Sequence, residues 1–259
     1  MTRDNFENLE NQKFLLKKTT SIEEQIARYV LVTQKYAQKG YLEAVEKIQI
    51  NDKIENLLLA GNKNLINELV KCNDLTSEGK LISDGFMEIF FDKYHWSSTC
   101  FVASDGLNAL GSARLITKDS RGLPTFDDPG ISIFDEYKFL YQEDCVEFSQ
   151  FVVKDGMCTH ISVGLLKLAY QYSMSVMRIK KWVATIDNSV LKFLNSRFFN
   201  FDLMAIGPCA YYLGSECTPV IIDLDCAIEN SAKHESSRQI AEYILDNNNE
   251  GYGDIEIVY

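Results

Sequence analysis

The sequence predicts an α/β protein built on one mixed, twisted β-sheet with helices on both faces. Three observations lead there. The apolar period switches repeatedly between helical and strand spacing along residues 97–224. Residues 145–186 read as strand, apolar helix and buried strand, a unit whose connection makes its two strands parallel. The stretch 97–117 reads as an antiparallel hairpin, so the sheet is mixed and needs helices to cover it.

Taken in order, residues 1–20 show no periodicity and read as an N-terminal extension. Ser21 with Glu24 three residues on makes a capping box, and apolar residues at 22, 26, 29, 30 and 36 predict a helix from 21 to about 38 that Gly40 stops. A second helical region is expected over 42–72, broken near Gly61, and loop over 73–85. SSTCFVAS (97–104), the turn Asp105-Gly106 and the alternating ALGSARLITK (109–118) form the hairpin. Residues 118–130 hold two of the four prolines and read as loop, followed by a short helix in ISIFDEYKFLY. Then come the strand 145–153, the helix 161–176, the strand 180–186 and a helix capped by Asp187 or Asn188. Up to three short strands follow, then a helical tail over 226–246 and frayed residues beyond it.

Composition narrows the function classes. The chain has 259 residues, 46% of them hydrophobic and 24% charged, enough to bury a full core. A net charge of −11 disfavours nucleic acid as a partner. Nine acids against two bases lie between Asp223 and Tyr259, which sets 225–259 apart as an acidic helical tail behind a main domain of 21–224. Seven cysteines, with no C-x-x-C pair, and three histidines (His95, His160, His234) offer no metal-ligand spacing, so no metal is expected. No apolar run reaches the roughly 18 residues of a membrane span, and the N-terminus has no apolar signal core, so a cytoplasmic protein with reduced thiols is expected. Nucleotide-binding loops, zinc-protease helices and the serine-hydrolase elbow are all missing.

What stands out is an ordered pair of motifs, GSARLI (111–116) and EFSQFVV (147–153). On these residues the chain resembles the acyl-homoserine-lactone (autoinducer) synthases and the long-chain N-acyl amino acid synthases, both in the GCN5-related N-acyltransferase superfamily. Gly122-Leu123-Pro124, WVATIDNSVLKFLNSRFFNF (182–201) and, more weakly, Gly40-Tyr41-Leu42 are similar as well. The resemblance spans about 86–224. It covers neither the acidic tail nor 43–85, which reads as a helical insertion.

The resemblance implies a sheet in which two parallel strands splay apart so that a thioester arm lies between them. Phe151, Val152 and Val153 would face Trp182 and Val183 across that opening, the free backbone groups bonding the pantetheine amides. His160 and Ser162 stand where acetyl-CoA users carry small residues around a pyrophosphate, and Met157 stands in place of their glutamine or arginine. Acyl carrier protein is therefore expected over CoA as donor, no tightly bound cofactor is needed, and Lys154, Lys167, Arg178, Lys180 and Lys181 offer either a basic docking face or an ordinary solvated one.

The implied catalytic set is Glu147, Arg114 and Ser149. Glu147 would take a proton from the amine of an amino acid acceptor; Arg114 would hold Glu147 or fork onto a substrate carboxylate. Phe90, Phe91, Phe148, Phe151 and Trp182 line an acyl tunnel or simply fill the core. Gln150 replaces the arginine of the lactone synthases' Glu-x-x-Arg, and Phe198 and Phe199 occupy the stretch where many acetyltransferases keep a tyrosine. The expected reaction moves a long acyl group onto an amino acid. A CoA-dependent acetyltransferase of a small amine, a lactone synthase and a non-catalytic binding module are the alternatives.

Overall fold

The capping box at Ser21 starts a helix as the sequence predicts: Ser21 Oγ accepts from the Glu24 amide at 3.2 Å, and Glu24 Oε2 accepts from the Ser21 amide at 3.3 Å. This helix is α1 (Ile22–Gln38). The computed structural model describes residues 14–42, 47–49, 80–83, 88–106, 108–157, 159–246 and 255–258. Ahead of α1 lies a strand, β1 (Phe14–Lys18), where no periodicity was expected. Phe14 and Leu16 are buried and Leu15 is not, so the apolar run Phe-Leu-Leu conceals an alternating strand.

β2 (Lys47–Gln49), β3 (Lys80–Ser83) and β4 (Glu88–Phe91) form a small sheet in the order β2-β3-β4. Lys47–Gln49 thus corrects the helix expected over 42–72, and Lys80–Ser83 the loop expected over 73–85. The remaining residues of both expectations lie almost wholly outside the described ones.

The hairpin is β5 (Ser98–Ser104) and β6 (Ala109–Thr117). A short helix α2 (Pro124–Asp127) and a 3₁₀ turn at Asp135–Gln142 precede β7 (Val146–Val153), α3 (Thr159–Tyr172), β8 (Lys181–Asp187) and α4 (Asn188–Leu194). Asp187 caps α4, accepting from the Ser189 amide at 2.7 Å. Next come β9 (Met204–Ala205), β10 (Ala210–Tyr212), β11 (Ser215–Asp223), α5 (Leu224–Ala232), α6 (Glu235–Leu245) and β12 (Ile255–Val258). The main sheet runs β10-β11-β8-β7-β6-β5-β1-β12, with β9 also on β11. Within this sheet, among the described residues, only β7–β8 and β1–β12 pair in parallel; the sheet is mixed, as expected.

Strand alternation puts helices on both faces. Gly111 of β6 faces α3 so closely that an added Cβ would sit 2.7 Å from Ile161 Cγ2 and 2.8 Å from Leu165 Cδ1. Its neighbour Ser112 points the other way, to Arg28 of α1. Gly111→Val is expected to lower unfolding stability by about 1–3 kcal/mol in a denaturant titration, because the α3 side chains have no room to retreat.

The acidic tail is not an appendage. Ile240, Ala241, Tyr243 and Ile244 of α6 belong to the same buried core as Leu165 and Leu166 of α3, and β12 pairs with β1 at the edge of the sheet. Charge concentrates there because both helices are amphipathic, with Glu229, Glu235 and Glu242 on the solvent side. Among the described residues, no helix is long and apolar enough to cross a membrane.

Candidate active site

β7 and β8 begin as neighbours and then part. Val146 pairs with Trp182 and Glu147 with Val183, and there the ladder ends. β7 continues to Val153 against β6, and β8 to Asp187 against β11. The resulting slot has a volume of about 380 Å³, with Phe148–Val153 on one wall and Thr185, Ile186 and Asp187 on the other. Phe151, Val152 and Val153 therefore line the opening, which starts at Phe148. Trp182 and Val183 lie in the zipped part, so the residues facing the slot from β8 are the next ones along. Trp182 instead stacks on Phe148 at 4.7 Å.

A bulge in β7 decides which side chains meet here. Arg114 pairs with Ser149 and Ser112 with Val152, so Gln150 and Phe151 together oppose Ala113. Gln150 takes a left-handed backbone, φ 48°. Ser149 and Gln150 consequently both turn toward α1, whereas strict alternation would send Gln150 to the α3 face.

At the closed end of the slot sits a second, smaller cavity of about 100 Å³. Tyr36, Ser149, Gln150, Thr185, Tyr212 and Leu213 border both spaces. Glu147 lines the inner one and is 2% exposed. Its Oε2 accepts from the Thr125 amide at 2.8 Å, at the start of α2. Burial pushes the carboxyl up to about 8, despite the Thr125 hydrogen bonds that favour its charged form. A carboxyl titrating near neutrality can exchange a proton with an amine in its cavity.

Arg114 does not reach Glu147. Its guanidinium forks onto Asp92, Nη1 to Oδ1 at 2.9 Å and Nη2 to Oδ2 at 2.8 Å, and its Nε donates to Ser149 Oγ at 2.8 Å. This corrects the expected partnership, and it leaves Arg114 no open fork for a substrate carboxylate. Asp92 also caps the turn Lys93–Ser97, accepting from the Tyr94 amide at 3.0 Å. Sequence reasoning missed Asp92, Tyr94, Tyr36, Thr125, Tyr212 and Arg28. One signal was present: Arg28 stands four residues before buried Val32, on the apolar face of α1.

His160 and Ser162 lie in the first turn of α3, His160 exposed and Ser162 half-buried; neither borders the slot. The expected basic face does not assemble. Lys167 is wholly buried, its ammonium 4.1 Å from the centre of the Tyr243 ring. Lys180 pairs with Asp225 and Lys181 with Glu143, and with Arg178 they sit at the start of β8, the end away from the slot's mouth. At the mouth itself are Lys35, which pairs with Asp155, and Lys39. Phe90 lines the inner cavity, Phe91 is buried, and Phe199 is core. Tyr41, in the weaker Gly40-Tyr41-Leu42 match, lines the slot and donates to Asp187 at 2.7 Å.

Among solved structures the chain is similar to FeeM, an N-acyl amino acid synthase from uncultured soil microbes, with 12% identity and a TM-score of 0.56 over 88% of this chain and 98% of that one. It is also similar to BjaI, a CoA-dependent acyl-homoserine lactone synthase, with 10% identity and a TM-score of 0.51 over 95% of this chain and 93% of that one. At such identities the likeness is one of fold, and it is the fold these two synthases share. No protein-family model matches the chain, and no curated protein matches it in sequence.

Proposed function

We propose that the protein is an N-acyltransferase that moves a long acyl group from acyl carrier protein to the amine of an amino acid. The observation that carries this reading is the slot between β7 and β8 ending on a buried carboxyl of raised pKa. A pantetheine arm is a narrow, amide-bearing thread, and the unpaired edges of Phe148–Val153 and Thr185–Asp187 give its amides partners. Its thioester then lies near the inner cavity. Glu147 accepts a proton from the ammonium, the amine nitrogen attacks the thioester carbon, and a C–N bond replaces the C–S bond. The departing thiolate takes up a proton to become the free thiol. Tyr36 borders both cavities, and burial holds its hydroxyl protonated, up to about 12; it gives its proton to the thiolate and takes in exchange the second proton that the nitrogen sheds after attack. Ser149 and the Arg114–Asp92 pair fix the wall opposite.

The acyl tail has an apolar route. A cavity lined by Phe148, Leu166, Trp182, Leu194, Ile222 and Ile228, among others, shares Phe148 and Leu194 with the slot. Its volume is only about 30 Å³, so a long chain enters by displacing side chains. Carrier protein is favoured over CoA by His160 and Ser162, which stand in the first turn of α3 at the positions where the resemblance puts small residues around a pyrophosphate. Unpaired Cys100, Cys145, Cys209, Cys217 and Cys226 fit work in the reducing cytoplasm. CoA as donor is the second reading, since BjaI, of similar fold, is a CoA-dependent synthase.

The test is turnover with a series of fatty acyl chains, each supplied on carrier protein and on CoA, with the twenty proteinogenic amino acids and S-adenosylmethionine as acceptors. Mass spectrometry is expected to find an N-acyl amino acid and free carrier thiol. Product from CoA thioesters alone sinks the carrier reading, a lactone product transfers the chain to the autoinducer reaction, and no acylated product from any donor ends the acyl-transfer reading.

A further inference from the structure

Three buried polar atoms around the inner cavity have no hydrogen-bond partner among the described residues: Arg28 Nη2, Gln150 Nε2 and Tyr94 Oη. Such atoms cost stability unless a ligand, a water or an ion completes them. Gln150 and Tyr94 both line the cavity, and they are 4% and 0% exposed. Both present donors. Arg28 Nη1 donates to Gln150 Oε1 at 2.6 Å, and a guanidinium has only donors, so the amide oxygen must face it and Nε2 must face away.

The charges of the pocket point the same way. Arg114 is neutralised by Asp92. Arg28 is fully buried, bonded to Gln25, Ser112 and Gln150, and has no carboxylate partner among the described residues. Among the described residues, the cavity is thus lined by one carboxyl without a cation partner, Glu147, and one uncompensated cation, Arg28, stands behind the Gln150 amide. About 100 Å³ is several times the space one water needs, room for an ammonium, an α-carbon and a carboxylate.

We infer that the inner cavity selects acceptors by their α-carboxylate, which Gln150 Nε2 and Tyr94 Oη bind, with Arg28 as the positioning residue that orients Gln150 and supplies the opposing charge. This rests on the acyltransferase reading and deepens it: it names the groups that tell an α-amino acid from a simple amine. Its ammonium meets Glu147 while its carboxylate meets the two donors. The job first expected of Arg114 falls to a glutamine backed by a different arginine.

Binding is measured by calorimetry on the whole chain, without any acyl donor, using the twenty proteinogenic amino acids, S-adenosylmethionine and the decarboxylated amine of each one that binds. A hydrogen bond to a charged group is worth roughly ten- to a hundredfold, so an amino acid is expected to bind about a hundredfold more tightly than its decarboxylated amine. Tyr94→Phe deletes only an unpartnered hydroxyl, so its Tm is expected to hold or rise. Its affinity for the amino acid should fall about tenfold and that for the amine should not change. Gln150→Leu should abolish the preference, and in turnover both variants should raise KM for the acceptor more than they lower kcat. An amine binding as well as its amino acid, binding of nothing in the panel, or a Tyr94→Phe loss equal for both ligands overturns the inference. Carboxylate-dependent binding without acylation from any donor instead overturns the acyltransferase reading and leaves the carboxylate site standing.

Discussion

Glu147→Gln is expected to lower kcat by about 10²- to 10⁴-fold, the usual worth of a positioned general base, with little change in KM for the acyl donor. The amide keeps the shape and still accepts from the Thr125 amide, so the loss reports proton transfer. In the wild type, kcat/KM for the acceptor should rise with pH as Glu147 ionises, through about 8, and in the variant only the titration of the amine itself should remain. Stability should move the opposite way. The folded-state value of about 8 lies above the ordinary 4.5, so stability from this group is fully present below pH 4.5. Between 4.5 and 8 the unfolded chain releases a proton that the folded chain keeps, and stability drains away by roughly 1.4 kcal/mol per pH unit. Glu147→Gln does not titrate, so its advantage in Tm over the wild type should be small at pH 5 and several degrees at pH 8.5. A variant that is no more stable at high pH and retains full activity would remove Glu147 from the reaction.

Asp92→Ala is expected to cost about 3–5 kcal/mol, since it strands the Arg114 guanidinium in a nearly dry site. For a chain of this size that is a fall in Tm of about 10 °C or more. The comparison that gives this meaning is the double variant Asp92→Leu with Arg114→Met. Removing both charges should recover most of the lost stability, because much of the single-variant cost is an uncompensated charge. It should not recover activity: Arg114 Nε holds Ser149 on the wall between slot and inner cavity, and that bond goes with it. A double variant as unstable as the single one would mean that packing around Asp92, rather than its charge, is what counts.

Much of the fold was legible because its signals are local. A capping box, a hairpin turn and a strand–helix–strand alternation each need only a few neighbouring residues, and α1, β5–β6 and β7–α3–β8 follow them. The misreadings came where local signals are uniform. Phe14–Lys18 hides its alternation in an apolar run, and the acidic tail reads as separate because charge density says nothing about the apolar stripe beneath it. The lysines read as a docking face share only a stretch of sequence; one is buried under Tyr243 and two are paired with acids.

Glu147, Arg114, Ser149 and the strand edge Phe151–Val153 were visible as residue types in order, since alternation along one strand and its neighbour already sets which of them share a face. Their partners were not. Asp92 meets Arg114 from another strand end, Thr125 meets Glu147 from the short helix α2, and Arg28 crosses from α1 to Gln150. The sequence alone therefore determined the order of elements from the β5–β6 hairpin to α4, the parallel pair and the carboxyl beside it. Only the tertiary structure decided where that pair parts, which side the bulge turns Gln150, and which buried charges are answered and which left open, because those depend on groups distant in the chain sharing one low-dielectric space.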